Sequence, residues 1–318
     1  MATDFKSYLL EEFLEDYQEG VLSRRQAIKL MAGVVGSVAL ADSLLAACAP
    51  APGLATPTGG VVTMAGTSSA PPEAAKASPG VGQDTPATEA TPEADWVTIE
   101  GREAELRAYL ARPAAPGPQQ AILVCHENRG LTEHIQDVTR RLALAGYVAL
   151  AVDLLTRSGG SAALDPADVP GILANSPSDQ FVQDFIDGWR WLQDQPYVKP
   201  EAVGMVGFCF GGGVTWRVAI GLPEVRAAVP FYGPHPAPED LATIEAAVLA
   251  IYAESDQRIN QSIPQVEAAM QQYGKTYEYV IYPGTDHAFH NDSGSHYAPE
   301  AAVDAWARTL NWFAAHLP

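Results

Sequence analysis

The sequence predicts an α/β fold, an open and mostly parallel sheet of about eight strands with helices on both faces. Two observations carry that expectation. Short apolar runs such as Ala121-Ile122-Leu123-Val124-Cys125 recur through residues 95–318, with the unbroken hydrophobicity of strands buried on both faces. Between them lie longer stretches with apolar residues at helical spacing. Composition agrees: 318 residues, 47% hydrophobic and 18% charged, can bury one large core.

Taken in order, Trp96 to Ile99 and Glu105 to Ala111 read as two strands of a hairpin turned at Gly101. Buried runs follow at Ala121 to Cys125, Tyr147 to Val152, Val203 to Val206, Ala227 to Phe231 and Val248 to Tyr252, with Glu278 to Tyr282 as a last strand. Helical patterns fall near Thr132 to Ala145, Ser178 to Gln193, Gly211 to Ile220, Ile263 to Tyr273 and Pro299 to Ala315. The stretch from Arg157 to Gln180, rich in Gly, Ser and Asp, reads as a long loop.

The chain ahead of this domain reads differently. Residues 1–22 are acidic, with Phe5, Tyr8, Leu9, Leu10, Phe13 and Tyr17 at roughly helical intervals, which predicts a short amphipathic helix of no readable function. Arg24-Arg25 then precedes an apolar run from Leu30 to Ala47 that ends in Leu45-Ala46-Ala47-Cys48. This resembles a twin-arginine export signal closing on a lipoprotein cleavage box. The resemblance implies an export signal over 1–47, recognised by twin-arginine export machinery and cut between Ala47 and Cys48, with Cys48 lipidated. An uncleaved membrane helix is the alternative anchor, with Asp42 and the small residues Gly33, Gly36 and Ser37 against it. Residues 49–94 hold 35 Ala, Pro, Gly, Ser or Thr in 46 and no aromatic residue, so 48–94 is expected to be a disordered linker. The domains expected are thus 1–47, 48–94 and 95–318, in an exported, membrane-anchored protein.

Charge and cysteine usage exclude several classes. Asp+Glu 38 against Lys+Arg 19 gives a formal net charge of −19, which repels phosphate backbones and excludes nucleic acid as a partner. The three cysteines lie too far apart for a zinc knuckle or a CxxC redox site. His126, His235 and His290 match no metal-ligand spacing, and no glycine-rich phosphate loop is present, so neither metal nor cofactor is expected.

In open α/β sheets, ligands bind beyond the carboxyl ends of the strands. The polar residues there are Glu127, Asp153, Cys209, Tyr232, Asp256 and His287. Gly207-Phe208-Cys209-Phe210-Gly211-Gly212-Gly213 follows a strand and opens a helix, the context of a nucleophile elbow with Cys in place of Ser. A helix N-terminus there would lower a thiol pKa and offer the Phe210 N–H to an oxyanion, with the Asn128 N–H as second donor. The plain alternative is a buried cysteine in a glycine-rich turn. Asp256 and His287 follow in the order acid, histidine, so His287 would take the thiol proton and Asp256 would orient it. Asp286 and Glu254 are rival acids, and Asp256 alone reads as a helix cap. Asp153 reads as packing or lid support.

Together these residues resemble the dienelactone hydrolase family of the α/β-hydrolase fold. The carriers are Cys125-His126-Glu127-Asn128-Arg129-Gly130, Gly207-Phe208-Cys209-Phe210-Gly211-Gly212, Phe231-Tyr232-Gly233, Ser255-Asp256 and Asp286-His287-Ala288-Phe289. The resemblance implies a Cys209-His287-Asp256 triad, with Glu127 controlling the thiol's protonation. It also implies attack on an ester or lactone carbonyl through an acyl-thioester. In that family an arginine after the histidine binds the substrate carboxylate; here Ala288-Phe289-His290-Asn291-Asp292 has none. Tyr232, Phe289 and Arg129 are expected to line the substrate pocket. A broad carboxylesterase and a non-catalytic binding lipoprotein are the alternative functions, and a redox pair of Cys209 with Cys125 is a third.

Overall fold

The structure, a computed structural model, describes residues 4–47 and 91–318. The expected linker up to Ala90 and the expected lipidation site Cys48 lie outside the described residues. One eight-stranded sheet organises the rest: β1 (Glu93–Glu100), β2 (Glu105–Arg112), β3 (Gln119–Cys125), β4 (Val148–Val152), β5 (Val198–Phe208), β6 (Val225–Phe231), β7 (Ala247–Ala253) and β8 (Tyr277–Tyr282). Their order across the sheet is β1-β2-β4-β3-β5-β6-β7-β8. β1 and β2 form the predicted hairpin, β2 meets β4 antiparallel, and every later pairing is parallel. β1 starts inside the expected linker, because Glu93 and Ala94 pair with Arg112 and Ala111.

The apolar runs of the central strands β3, β4, β6 and β7 are buried, as their sequence requires, with only Gln119, Gln120 and Arg226 at the strand starts less so. Helices α4 (Glu133–Leu144) and α10 (Pro299–His316) share one face, where the Arg141 guanidinium lies 4.9 Å over the Trp306 ring. α6 (Ser178–Gln193) and α7 (Phe210–Gly221) pack together on the other face. From β3 the chain crosses to β4 on one side, then returns past β3 to β5 on the other. The crevice at the carboxyl ends of β3 and β5 is therefore the switch point at which such sheets bind ligands. Glu127 and Cys209 follow those two strands.

The expected loop from Arg157 to Gln180 contains a helix, α5 (Val169–Asn175). It forms against α2 (Arg24–Val35), where a Cβ on Gly171 would meet the Gly33 backbone at 2.7 Å, so the two helices touch through glycines. That partner is remote in sequence, and local composition does not reveal it. Asp153 holds the start of the same segment, accepting from Ser161 N at 2.8 Å and Ser161 Oγ at 2.6 Å.

Three helices precede the domain: α1 (Phe5–Gln18), α2, and α3 (Val38–Ala47). Asp4 caps α1 and a Ser23–Gln26 capping box starts α2. Gly36, left-handed at φ 74°, ends α2 and splits the apolar run in two. No helix among the described residues is long and apolar enough to cross a membrane. Arg24 and Arg25 are exposed, and Arg24 pairs with Asp42 at 2.6 Å.

Candidate active site

Cys209 sits between β5 and α7 at φ 58°, a left-handed conformation costly for any residue with a side chain. Sterics explain its neighbours. A Cβ on Gly207 would meet the Gly211 carbonyl oxygen at 2.2 Å, and one on Gly211 would meet the His126 oxygen at 2.4 Å. The elbow therefore closes only with glycine on both sides. Cys209 N donates to the Phe231 carbonyl at 3.0 Å, while Gly212 N and Gly213 N donate to the Cys209 carbonyl. Phe210 is the first residue of α7, so its N–H precedes the helix's own hydrogen-bond ladder.

The structure brings His287 and Asp256 together: His287 Nδ1 lies 2.6 Å from Asp256 Oδ2. The other carboxylate oxygen of Asp256 accepts from Ile259 N at 3.4 Å and caps the short α8 (Gln257–Asn260). Cap and histidine partner are thus two ends of one side chain. Of the rival acids, Glu254 accepts from Gly284 N at 2.7 Å and Asp286 is exposed. His287 Nε2 is buried without a hydrogen-bond partner. A His287 ring nitrogen, the Cys209 sulfur and a Glu12 carboxylate oxygen lie within 4.8 Å of one another. Those three donor types also suit a zinc ion.

Among the described residues, three other than glycine have positive φ: Cys209, Tyr232 and Ala288. All three border this site, and backbone strain of that kind concentrates where function demands it. Burial works against the His287 imidazolium, yet Asp256 and Cys209 beside it hold its pKa well above the ordinary value. Asp256 is likewise opposed by burial, and His287 and Arg258 hold its carboxyl below the usual range. Burial, then Glu12, pushes the Cys209 thiol up.

Glu127 is buried and accepts from Asn291 Nδ2 at 2.7 Å; burial raises its pKa. A cavity of about 170 Å³ opens at the crevice, with Glu127, Asn128, Arg129, Cys209, His287 and Asn291 on its domain side. Arg129 thus borders it as expected. Tyr232 and Phe289 do not: both are fully buried, with ring centroids 5.7 Å apart, and the Tyr232 ring lies 4.9 Å from that of His287. Cys125 is buried and free, its sulfur 3.8 Å from the His126 oxygen. His126 ties two loops, through the Glu127 oxygen at 2.7 Å and Leu154 N at 3.3 Å.

A sequence model of the dienelactone hydrolase family matches residues 106–317. Two relatives bearing the name "putative carboxymethylenebutenolidase" are each 35% identical. The one from Methylorubrum extorquens aligns over 230 residues, 68% of this chain and 79% of its own, and the one from Synechocystis over 239 residues, 70% and 96%. The chain belongs to the dienelactone hydrolase family. A Klebsiella pneumoniae crystal structure described as a putative dienelactone hydrolase superposes with a TM-score of 0.66 at 32% identity, covering 70% of this chain and 98% of its own. The Anabaena variabilis dienelactone hydrolase shares the fold at 23% identity, with a TM-score of 0.58 and coverage of 72% and 100%. As a dienelactone hydrolase family member, this chain is a hydrolase acting on ester bonds.

Four residues at this dienelactone hydrolase site escape sequence reasoning. Tyr8 and Glu12 arrive on α1: the Tyr8 hydroxyl lies 3.3 Å from the Cys209 sulfur, and both Glu12 oxygens lie 3.7 Å from it. Arg258 covers the Tyr8 ring at 4.6 Å and lies 3.8 Å from Asp256. Asn291 stands in the stretch noted for lacking an arginine. The one advance signal was the apolar stripe of α1, which shows a face to be covered and not the surface that covers it. The carboxylate against the sulfur is Glu12, whereas Glu127 is turned to Asn291.

Proposed function

We propose that this hydrolase cleaves a carboxylic ester or lactone with Cys209 as nucleophile, His287 as base and Asp256 as its orienting acid. The observation that carries this reading is the 2.6 Å Asp256–His287 bond, which leaves the other imidazole nitrogen unpaired beside a cysteine on a strained strand-to-helix turn. His287 Nε2 takes the thiol proton as the sulfur attacks the carbonyl carbon. The oxyanion is held by the Phe210 and Asn128 N–H groups. Collapse breaks the C–O bond, and the imidazolium returns its proton to the leaving oxygen, which stays attached when the substrate is a lactone. Water then gives a proton to His287, attacks the thioester, and releases the acid and the thiol. Glu127 adds its charge to that of Glu12 in disfavouring the thiolate, which keeps the thiol neutral until substrate arrives. Arg129, at the cavity, is the cation offered to an anionic substrate.

Aryl esters and enol lactones assayed with the full chain, Cys209→Ala and His287→Ala test this reading. Turnover abolished by either substitution is expected; turnover indifferent to both would overturn it. Absence of turnover on every substrate, both with α1 in place and after its release from the crevice, together with tight ligand binding, would favour a binding lipoprotein instead.

Export and anchoring complete the reading: twin-arginine machinery would engage Arg24-Arg25, which stand exposed at the start of α2, and Cys48 would carry lipid at the outer face of the membrane. Fractionation of cells expressing the wild type, an Arg24→Lys/Arg25→Lys chain and Cys48→Ala tests it. Export lost in the double variant and membrane retention lost in Cys48→Ala are expected.

A further inference from the structure

We infer that α1 is a plug that holds the catalytic crevice closed, so that the full chain is a latent hydrolase until α1 is cut away or displaced. The inference rests on Cys209 being the reactive group.

Space argues first. A nucleophile must come within about 3–3.5 Å of the carbon it attacks. With Tyr8 O at 3.3 Å and both Glu12 oxygens at 3.7 Å, the side of Cys209 facing the crevice is already in contact with α1. Cys209 retains only 3% exposure. An acyl carbon reaches the sulfur only after these two side chains leave.

Charge argues second. Glu12 accepts from Asn128 Nδ2 at 2.6 Å, so a carboxylate of the chain occupies the loop expected to bind the reacting carbonyl. Its charge pushes the thiol further from its reactive form. Glu15 pairs with Arg258 at 3.3 Å, and Asp16 borders the same cavity as Arg129. The acidic face of α1 therefore meets the cations of the site.

Anchoring argues third. Phe5 packs on Phe210 and Phe181, at 4.4 and 5.9 Å between ring centroids, and the Arg217 guanidinium lies 4.3 Å over its ring. Tyr8, Leu9 and Phe13 are fully buried. The helix is joined to α2 through an exposed turn at Gly20 and Val21, the natural place for it to be severed. Cleavage after Ala47 would detach α1, α2 and α3 together.

The test inserts a specific protease site between Gly20 and Val21 of the full chain. After cutting and dilution, two rates are read: alkylation of Cys209 by iodoacetamide, located by peptide mass, and aryl ester hydrolysis. Both should rise at least tenfold, and added peptide spanning residues 4–20 should return them to the uncut level. Uncut Glu12→Gln, which preserves shape, should raise Cys209 alkylation several-fold, and near-ultraviolet circular dichroism would establish that both proteins keep their fold. Alkylation unchanged or slower after cutting overturns the plug. Faster alkylation without any ester turnover would uphold the plug and remove the esterase reading; ester turnover with unchanged alkylation would do the reverse.

Discussion

Asn291 Nδ2 donates to Glu127 Oε2 at 2.7 Å, joining the loop after β3 to the segment after His287 across 164 positions of sequence. Burial raises the Glu127 pKa, and this bond works against the rise. Removing the amide leaves a buried carboxylate short of a donor, which costs about 1–3 kcal/mol. Asn291→Ala should therefore lower unfolding free energy by that amount. Glu127→Gln and Asn291→Ala should be non-additive in a double-mutant cycle followed by chemical denaturation.

Asp256 divides its two oxygens between a helix cap and His287, which allows the roles to be separated. Asparagine caps a helix as well as aspartate does, yet cannot stabilise an imidazolium. Asp256→Asn should keep the helix cap and reduce kcat by roughly 10⁴-fold. Asp256→Ala should lose both cap and activity. Thermal unfolding beside steady-state kinetics distinguishes the two variants.

The same pair predicts a pH window. Asp256 is held below its ordinary value of 3.8, so its contribution is complete above 3.8 and is lost as pH falls through the lower folded value. His287 is held well above 6.5, so its contribution is complete below 6.5 and is lost as pH rises through the higher folded value. Both contributions are whole between 3.8 and 6.5. Asp256→Asn should flatten the stability-against-pH curve on either side of that window, measured by denaturant unfolding. Activity follows the opposite course, because the raised thiol and imidazolium leave the site protonated near neutrality. Hydrolysis should climb as pH rises, and Glu12→Gln should shift the climb to lower pH.

What the sequence made legible is local in cause. The elbow is readable because glycine at 207 and 211 is a steric requirement of the turn itself, and the strands because burial on both faces leaves its mark within each run. Asp256 and His287 were found by their place after strands. Glu12 was not, because its meeting with Cys209, 197 positions away, depends on where α1 docks. α5 hid for the same reason, since α2 supplies its packing surface. Tyr232 and Phe289 lie in the core and not in the pocket expected for them: position after a strand does not tell whether an aromatic ring faces the crevice or the core behind it.

Arg157 and Asp184 form a fork of two bonds, at 2.7 and 2.8 Å, with the Asp184 side chain fully buried. Arg157, the cation of the segment after β4, is thereby committed to structure and unavailable to a substrate. Burial raises the Asp184 pKa and Arg157 opposes that rise. Arg157→Ala strands the carboxylate and should cost about 3–5 kcal/mol, read by denaturant unfolding. The double variant Arg157→Met/Asp184→Leu should recover most of the loss, since it leaves no uncompensated charge.

Gly211 provides the strictest test of the elbow. A methyl group there would press on the carbonyls of His126 at 2.4 Å and Cys125 at 2.6 Å, both backbone atoms of the loop that carries Glu127 and Asn128. Neither can swing aside as a side chain would, so α7 must retreat from β3. Gly211→Ala should cost about 1–3 kcal/mol from overpacking. It should also lower kcat more than it raises KM, because the retreat would separate the Phe210 and Asn128 N–H groups proposed to hold an oxyanion that forms only in the transition state. A variant that lost stability and kept full kcat would show that the two amides do not act on the same oxygen.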